Sequence, residues 1–251
     1  MADNPRFFTE DLSPETVRLS ADEAHHALRV LRLGEGAAVE LFDGRGGLAA
    51  GRIAGVKRNA VDVLVEQRRS LGPRPAPPVH VAFAVPKGKR LDWLLEKATE
   101  LGAASLRPVV FEHSVAGQIA GRLPPPKRER WLSHCVAAAK QSGLNWLPQL
   151  ADPLPLGEFL EQELFAAEGY VGLVGVAEGA RSVREVLARA PHGREVCLLV
   201  GPEGGLTHEE LRAAAEAGFV PARLGRTVLR VETAAIALLA ATVALRESEQ
   251  D

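Results

Sequence analysis

Cysteine is almost absent. Among 251 residues there are only Cys135 and Cys197, and they do not form a C-x-x-C pair. A disulfide-held scaffold is therefore excluded in a chain long enough not to need one, as are zinc-ribbon and thioredoxin-like designs. Long apolar runs are missing as well. The longest, residues 234–245, has 12 residues and includes Thr242, whereas a spanning helix needs about 18 or more. The first residues, Met-Ala-Asp-Asn-Pro-Arg-Phe-Phe, lack the basic-then-apolar layout of a secretory signal, so a cytoplasmic protein is expected. Nor does charge of one sign dominate: 30 Lys+Arg stand against 32 Asp+Glu, a net charge of −2. That balance argues against a protein that coats nucleic acid through bulk electrostatics, while leaving room for a local basic patch. Arginine supplies 24 of the 30 positive charges, with one Met and three Asn, a bias that heat adaptation and a GC-rich genome both produce.

Hydrophobic residues make up 46% and charged residues 25%, the balance of an ordinary soluble globular protein. The length allows one large domain or two small ones. Four prolines in the nine residues Ser-Leu-Gly-Pro-Arg-Pro-Ala-Pro-Pro (70–78) read as a stiff, extended connector, because proline fixes φ and removes a backbone donor. Two domains are expected, over 1–72 and 73–251.

Short alternating runs dominate before the connector. Residues 37–43 read as a strand entering an Asp43-Gly44 turn, and 48–56 and 60–65 as further strands, the last preceded by the turn residue Asn59. Ser20-Ala-Asp-Glu23 is a capping-box sequence expected to open a helix over 21–31. Together these predict a small β-barrel with one helix. After the connector, strands over 79–85, 106–111, 170–176 and 196–200 alternate with helices over 90–101, 127–142 and 183–189. Another helix, opened by the capping box Thr207-His-Glu-Glu210, stops at Gly218. The last helix, 233–246, is apolar nearly all round and must be buried in a core or a subunit interface. This alternation means α/β with a mainly parallel sheet.

Two stretches carry candidate chemistry. Leu198-Leu-Val-Gly-Pro-Glu-Gly-Gly-Leu206 is a buried strand ending in a glycine loop before a capped helix. Ligands bind at the carboxyl ends of parallel strands, so this loop faces a pocket by position, although a purely structural turn has the same sequence. It is neither G-x-G-x-x-G nor a Walker loop, which weighs against a nucleotide-dependent metabolic enzyme. The second stretch, Arg223-Leu-Gly-Arg-Thr-Val-Leu-Arg-Val-Glu-Thr-Ala234, brings Arg230, Glu232 and Thr233 into the start of the last helix. A solvated Arg-x-Glu ion pair is the plain alternative there. His25 and His26 have no further spaced ligands, so no metal is expected.

These paired stretches resemble the SPOUT class of methyltransferases, most closely the RsmE-type 16S ribosomal RNA uridine-N3 methyltransferases. Arg6-Phe7-Phe8, His25-His-Ala-Leu-Arg-Val-Leu-Arg32, Leu41-Phe-Asp-Gly44, Lys97-Ala-Thr-Glu-Leu-Gly102 and Gln141-Ser-Gly143 follow in the family's order. The resemblance implies a PUA-like N-terminal β-barrel and a C-terminal domain with a trefoil knot over about 170–246. It also implies a homodimer, S-adenosyl-L-methionine as cofactor, and 16S rRNA on the assembled 30S subunit as substrate. Leu199, Val200, Gly201, Glu203, Gly204, Leu224, Gly225, Val228 and Leu229 would then bind the cofactor. Arg230 would stabilise a developing uracil anion, with Glu232 orienting it or helping with the proton. Arg6, His25, Arg29, Arg32, Lys87, Lys89 and Arg90 are expected to contact RNA, each against the alternative of an ordinary charged surface. One departure stands out: the family usually has Glu-Gln-[Ser/Cys]-x-Arg where this chain has Lys140-Gln-Ser-Gly-Leu144. That departure keeps open an RNA-binding relative without catalysis.

Overall fold

A computed structural model describes residues 4–74, 77–114, 120–162, 170–191 and 193–247. The chain divides into two compact units, Met1–Pro75 with Ala139–Leu147, and Ala76–Ala138 with Pro148–Asp251. Residues 75 and 76, inside the proline-rich connector, lie outside the described residues.

The first unit contains β1 (Arg6–Phe8), β2 (Thr16–Arg18), α1 (Ala21–His25), β3 (Ala38–Phe42), β4 (Gly47–Lys57) and β5 (Ala60–Ser70). They form one sheet in the order β1-β3-β4-β5-β2, with β1 parallel to β3 and the other pairs antiparallel. Alternation along β5 turns Val61, Val63 and Val65 into a core shared with Phe7, Val17, Leu41 and Ile53. The two shortest strands, β1 and β2, carry too few residues to show a period and escape a sequence reading. Bulges interrupt the β4–β5 register at Ala50/Gly51 and Ile53/Gly55, where an extra residue bends the strand. At Gly51 a Cβ would lie 2.3 Å from the Leu64 carbonyl oxygen, so only glycine lets the strands approach. In the β4–β5 turn Arg58, with φ +55°, takes the left-handed conformation.

Two expectations for the first helix need correction. Regular α-helix stops at His25, and residues His26–Val30 form a π-turn in which the Leu31 N–H reaches the His26 carbonyl at 3.0 Å. Arg32, at φ +54°, then ends the helix. The capping box is half formed: Ser20 Oγ accepts from the Glu23 N–H at 3.3 Å, but the Glu23 carboxylate pairs with Lys140 Nζ at 2.6 Å. A buried carboxylate gains more from a cation than from returning to its own backbone. The same ammonium lies 5.1 Å from the centre of the Phe7 ring, so the Lys140 departure is met by a partner inside the first unit.

The second unit contains β6 (Val79–Phe83), α2 (Lys89–Glu100), β7 (Ser105–Val110), α3 (Pro125–Ser142), β8 (Gln149–Leu150), β9 (Leu154–Pro155), α4 (Leu156–Leu160), β10 (Tyr170–Gly175), β11 (Arg181–Ser182), α5 (Val183–Leu187), β12 (Glu195–Val200), α6 (His208–Glu216), β13 (Phe219–Arg223) and α7 (Val231–Glu247); the last residues of α3 count with the first unit. The sheet runs β11-β13-β10-β12-β6-β7-β8, with β9 beside β7, and its pairings are parallel. The continuous apolar run of β12 is buried over Val196–Val200 because helices cover both faces of such a sheet. Thr207 and Glu210 form both legs of their capping box, and Gly218, at φ +87°, ends the following turn. Helix α7 buries Val231, Ala235, Leu238, Leu239 and Thr242, while Thr233 and Ala244 are exposed. No helix of the described residues is long and apolar enough to cross a membrane.

Candidate active site

Strands β13, β10 and β12 lie side by side, and the segments leaving their carboxyl ends line one cavity of about 240 Å³. This is the end of a parallel sheet at which open α/β folds take their ligands. After β12, Gly201 packs so tightly that a Cβ there would sit 2.3 Å from Leu206 Cδ1. Gly205, at φ +74°, donates to the Pro202 carbonyl at 2.9 Å and closes the turn. Glu210 anchors the exit of this loop, accepting from the N–H groups of Thr207 and Glu112 at 2.9 and 2.8 Å.

Of the residues expected to bind a cofactor, Val200, Gly201, Glu203, Leu224, Gly225, Val228 and Leu229 line the cavity. Two do not. Leu199 is fully buried within β12, and Gly204 turns its α-carbon toward His113, whose Cβ would lie 3.1 Å from an added methyl. A third wall, Gly175 at the end of β10 with Val176 and Ala177 after it, was not anticipated. The carboxyl-end rule applied to β10 would have found it, but this segment has no paired glycines to attract notice. Leu238 of α7 comes close enough that a Cβ on Gly175 would meet its Cδ1 at 2.9 Å.

The lining is apolar side chain and backbone, apart from the Thr227 hydroxyl and one ionisable group, Glu203. Its Oε1 accepts from Arg90 Nη1 at 2.8 Å. The same guanidinium nitrogen stands 3.8 Å from Glu232 Oε2. Glu232 is 5% exposed, and that oxygen has no hydrogen-bond partner among the described residues. Arg230 is exposed; its carbonyl accepts the Ala234 N–H at 2.8 Å and starts α7. Among the described residues its side chain makes no ion pair, so the anticipated Arg230–Glu232 pair is replaced by Arg90–Glu232.

The residues expected to touch RNA separate into two kinds. His25, Arg29 and Arg32 in the first unit, and Lys87 and Lys89 in the second, are exposed. The π-turn shifts Arg29 relative to His25, because a π-turn holds more residues than the α-turn that would stack them at i, i+4. Arg6 and Arg90 are otherwise engaged. Arg6 pairs with Glu40 at 2.8 Å, bonds Asn145 and lies 4.8 Å from the centre of the Phe42 ring, leaving its side chain 13% exposed. A guanidinium so enclosed holds the first unit together. Among the described residues no group of three or more His, Cys, Asp or Glu could hold a metal.

Comparison with known proteins places this arrangement. A family model described as an RNA methyltransferase domain matches residues 73–243, and one described as an RNA methyltransferase PUA domain matches 19–66. The chain is 32% identical to a Synechocystis protein named Ribosomal RNA small subunit methyltransferase E, over 95% of this chain and 76% of the relative. A Mycobacterium bovis protein of the same name is 34% identical, over 93% of this chain and 89% of the relative. Among solved structures, a Legionella pneumophila methyltransferase in complex with the bound cofactor SAM superposes with a TM-score of 0.84 at 28% identity, covering 98% of each chain. A Ribosomal RNA small subunit methyltransferase E from Neisseria gonorrhoeae, bound to S-adenosyl methionine, gives 0.81 at 28% identity, over 96% of this chain and 98% of the other. The alternative of a relative that only binds RNA gains no support from these comparisons.

Proposed function

This chain belongs to the RNA methyltransferase family, with the SPOUT-type fold, and we propose that it methylates N3 of a uridine in 16S ribosomal RNA, using S-adenosyl-L-methionine. The observation that carries the reading is the cavity itself: apolar walls and loop backbone around a single carboxylate, at the carboxyl ends of β10, β12 and β13. That donor set suits a nucleoside body joined to one cationic centre. The backbone of the Gly201 loop and of residues 224–229 holds the adenosine, and Glu203 offers the negative charge that a sulfonium requires. When bound, S-adenosylmethionine supplies a methyl group activated by that positive charge.

The chain's own residues then act on the acceptor. Uridine N3–H is a weak acid, so its proton must leave or its anion must be stabilised. Glu232 Oε2, buried and without a hydrogen-bond partner among the described residues, is the acceptor available for that proton. Arg230, exposed next to the lining residues Leu229 and Val231 and without an ion pair among the described residues, donates to the uracil oxygen on which negative charge builds. Alignment of the two reactants in one cleft supplies much of the acceleration. Arg29, Arg32, His25, Lys87 and Lys89 contact phosphates, which positions a substrate without reading its sequence.

The assembled 30S subunit is the proposed substrate, in the cytoplasm, and the C-terminal segment is proposed to be knotted. A homodimer is supported by α7, whose outer face carries Thr233, Ala237, Ala240 and Ala244, small residues that suit close approach of a second copy.

The test uses radiolabelled S-adenosylmethionine with 30S subunits from a strain deleted for this protein, followed by nucleoside analysis. Label is expected in N3-methyluridine, with turnover reduced about 100-fold or more in Glu232→Gln and Arg230→Ala. Label in another nucleoside would overturn the substrate assignment, and no label would remove the enzymatic reading.

A further inference from the structure

Arg90 was expected on the RNA surface, but its guanidinium is directed at two carboxylates of the candidate active site. Nη1 is 2.8 Å from Glu203 Oε1 and 3.8 Å from Glu232 Oε2, and Nε is held by the Lys87 carbonyl at 3.4 Å. Among the described residues Glu203 is the lone ionisable group in the cavity lining. Glu232 carries a buried oxygen without a hydrogen-bond partner among the described residues. One cation therefore serves two anions, and its position decides how much negative charge the cavity wall presents.

We propose that Arg90 is a positioning residue that sets the charge of the donor site, tempering Glu203 so that the site does not hold the cationic methyl donor excessively over its neutral product. The inference rests on the cofactor reading above. Before transfer the sulfur carries a positive charge; after transfer S-adenosylhomocysteine has a neutral thioether there. A bare carboxylate in the wall favours the donor, because the attraction acts on only one of the two molecules. A guanidinium hydrogen-bonded to that carboxylate offsets the preference. Its hydrogen bond to Oε1 also orients the Glu203 carboxylate, since a charge-assisted hydrogen bond is directional. Among the described residues neither Glu203 nor Glu232 has another cation within ion-pair distance.

The signs of two substitutions separate this from a packing role. Arg90→Gln leaves Glu203 uncompensated and raises the preference for S-adenosylmethionine over S-adenosylhomocysteine. Glu203→Gln removes the attraction and lowers it. Both partners are partly exposed, so each change is about two- to fivefold in the ratio of dissociation constants. The double variant returns toward the wild-type ratio, because it removes both charges together, and Arg90→Lys stays near that ratio by keeping the charge.

The experiment is calorimetric titration of both molecules into the full-length wild-type protein and these four variants, with circular dichroism to confirm folding. Opposite shifts in the two single variants are the expected result. Shifts of the same sign, an unchanged ratio in Arg90→Gln, or a double variant matching Arg90→Gln would overturn the proposal. Wild-type protein that binds neither molecule would remove the cofactor reading and this inference with it. Wild type that binds both while Arg90→Gln leaves the ratio unmoved would remove the inference alone.

Discussion

Replacing Lys140 by Met tests whether the chain's departure from the family pattern is structural. The ammonium sits 2.6 Å from Glu23 Oε2, with side chains only 16% and 9% exposed. Met keeps the apolar stem near Phe7 and deletes the charge alone, leaving a nearly buried carboxylate without its partner. Breaking a fully buried pair from one side costs about 3–5 kcal/mol. The residual exposure lowers this to about 2–3 kcal/mol, between the buried value and the ~0–1 kcal/mol of a surface pair. Because two units unfold in one chain, a single melting temperature is a poor readout. Native-state hydrogen exchange at the β4–β5 amides of the first unit reports that unit directly, and should accelerate about 30- to 150-fold. Glu23→Gln added to Lys140→Met should recover about 1 kcal/mol or more, since it neutralises the stranded charge. Acceleration below about threefold would place the pair in the surface class and refute the reasoning.

A pH signature accompanies it. His26 titrates below its usual range, first because it is partly buried and then because Lys140 is near. A histidine with a lowered folded-state pKa favours folding above its unfolded value of about 6.5 and loses that contribution as pH falls. Lys140→Met should raise the His26 pKa, measurable by NMR, and shrink the acid-side loss of stability.

The remaining predictions concern separate regions. Arg6→Ala should lower the stability of the first unit without changing the slope of log affinity against log salt for RNA, whereas Arg29→Ala should reduce that slope by about one. Equal slope changes in filter-binding titrations would contradict the division between enclosed and exposed arginines. Gly51→Ala should cost about 1–3 kcal/mol in chemical denaturation, because its Cβ meets backbone oxygen at 2.3 Å and not a movable side-chain end; a neutral effect would refute the close approach. Cys135 is buried, its thiol pushed up to about 11, and burial drives Cys197 upward as well. Neither should react with a thiol reagent at pH 8 in the folded protein, where about a thousandth of a thiol with that pKa is ionised. Rapid labelling of the native protein would show that these sites open.

The motif loops were legible because glycine, proline and capping residues leave local marks. Gly201 and Gly205 stand where a turn needs them, and the Thr207–Glu210 box forms as its spacing suggests. The parallel sheet was legible from the unbroken apolar run of β12 and the alternation of strand with helix. Less visible were β1 and β2, each three residues long, and the π-turn after His25, because nothing in His-Ala-Leu-Arg-Val distinguishes a wider turn from an α-turn. The capping box at Ser20 misled for a physical reason: its glutamate had a better partner 117 residues away.

By itself, the sequence determined most of the longer strands and helices, where the glycine loops fall and which family they resemble, because those properties depend on residues close together along the chain. Only the tertiary structure decided which charge meets which. It turned Arg90 from the surface toward Glu203 and Glu232, enclosed Arg6 against Glu40, gave Lys140 to Glu23 and supplied the β10 wall of the cavity. Ion pairs form between side chains that the fold brings within a few ångströms, and separation along the chain does not encode that distance.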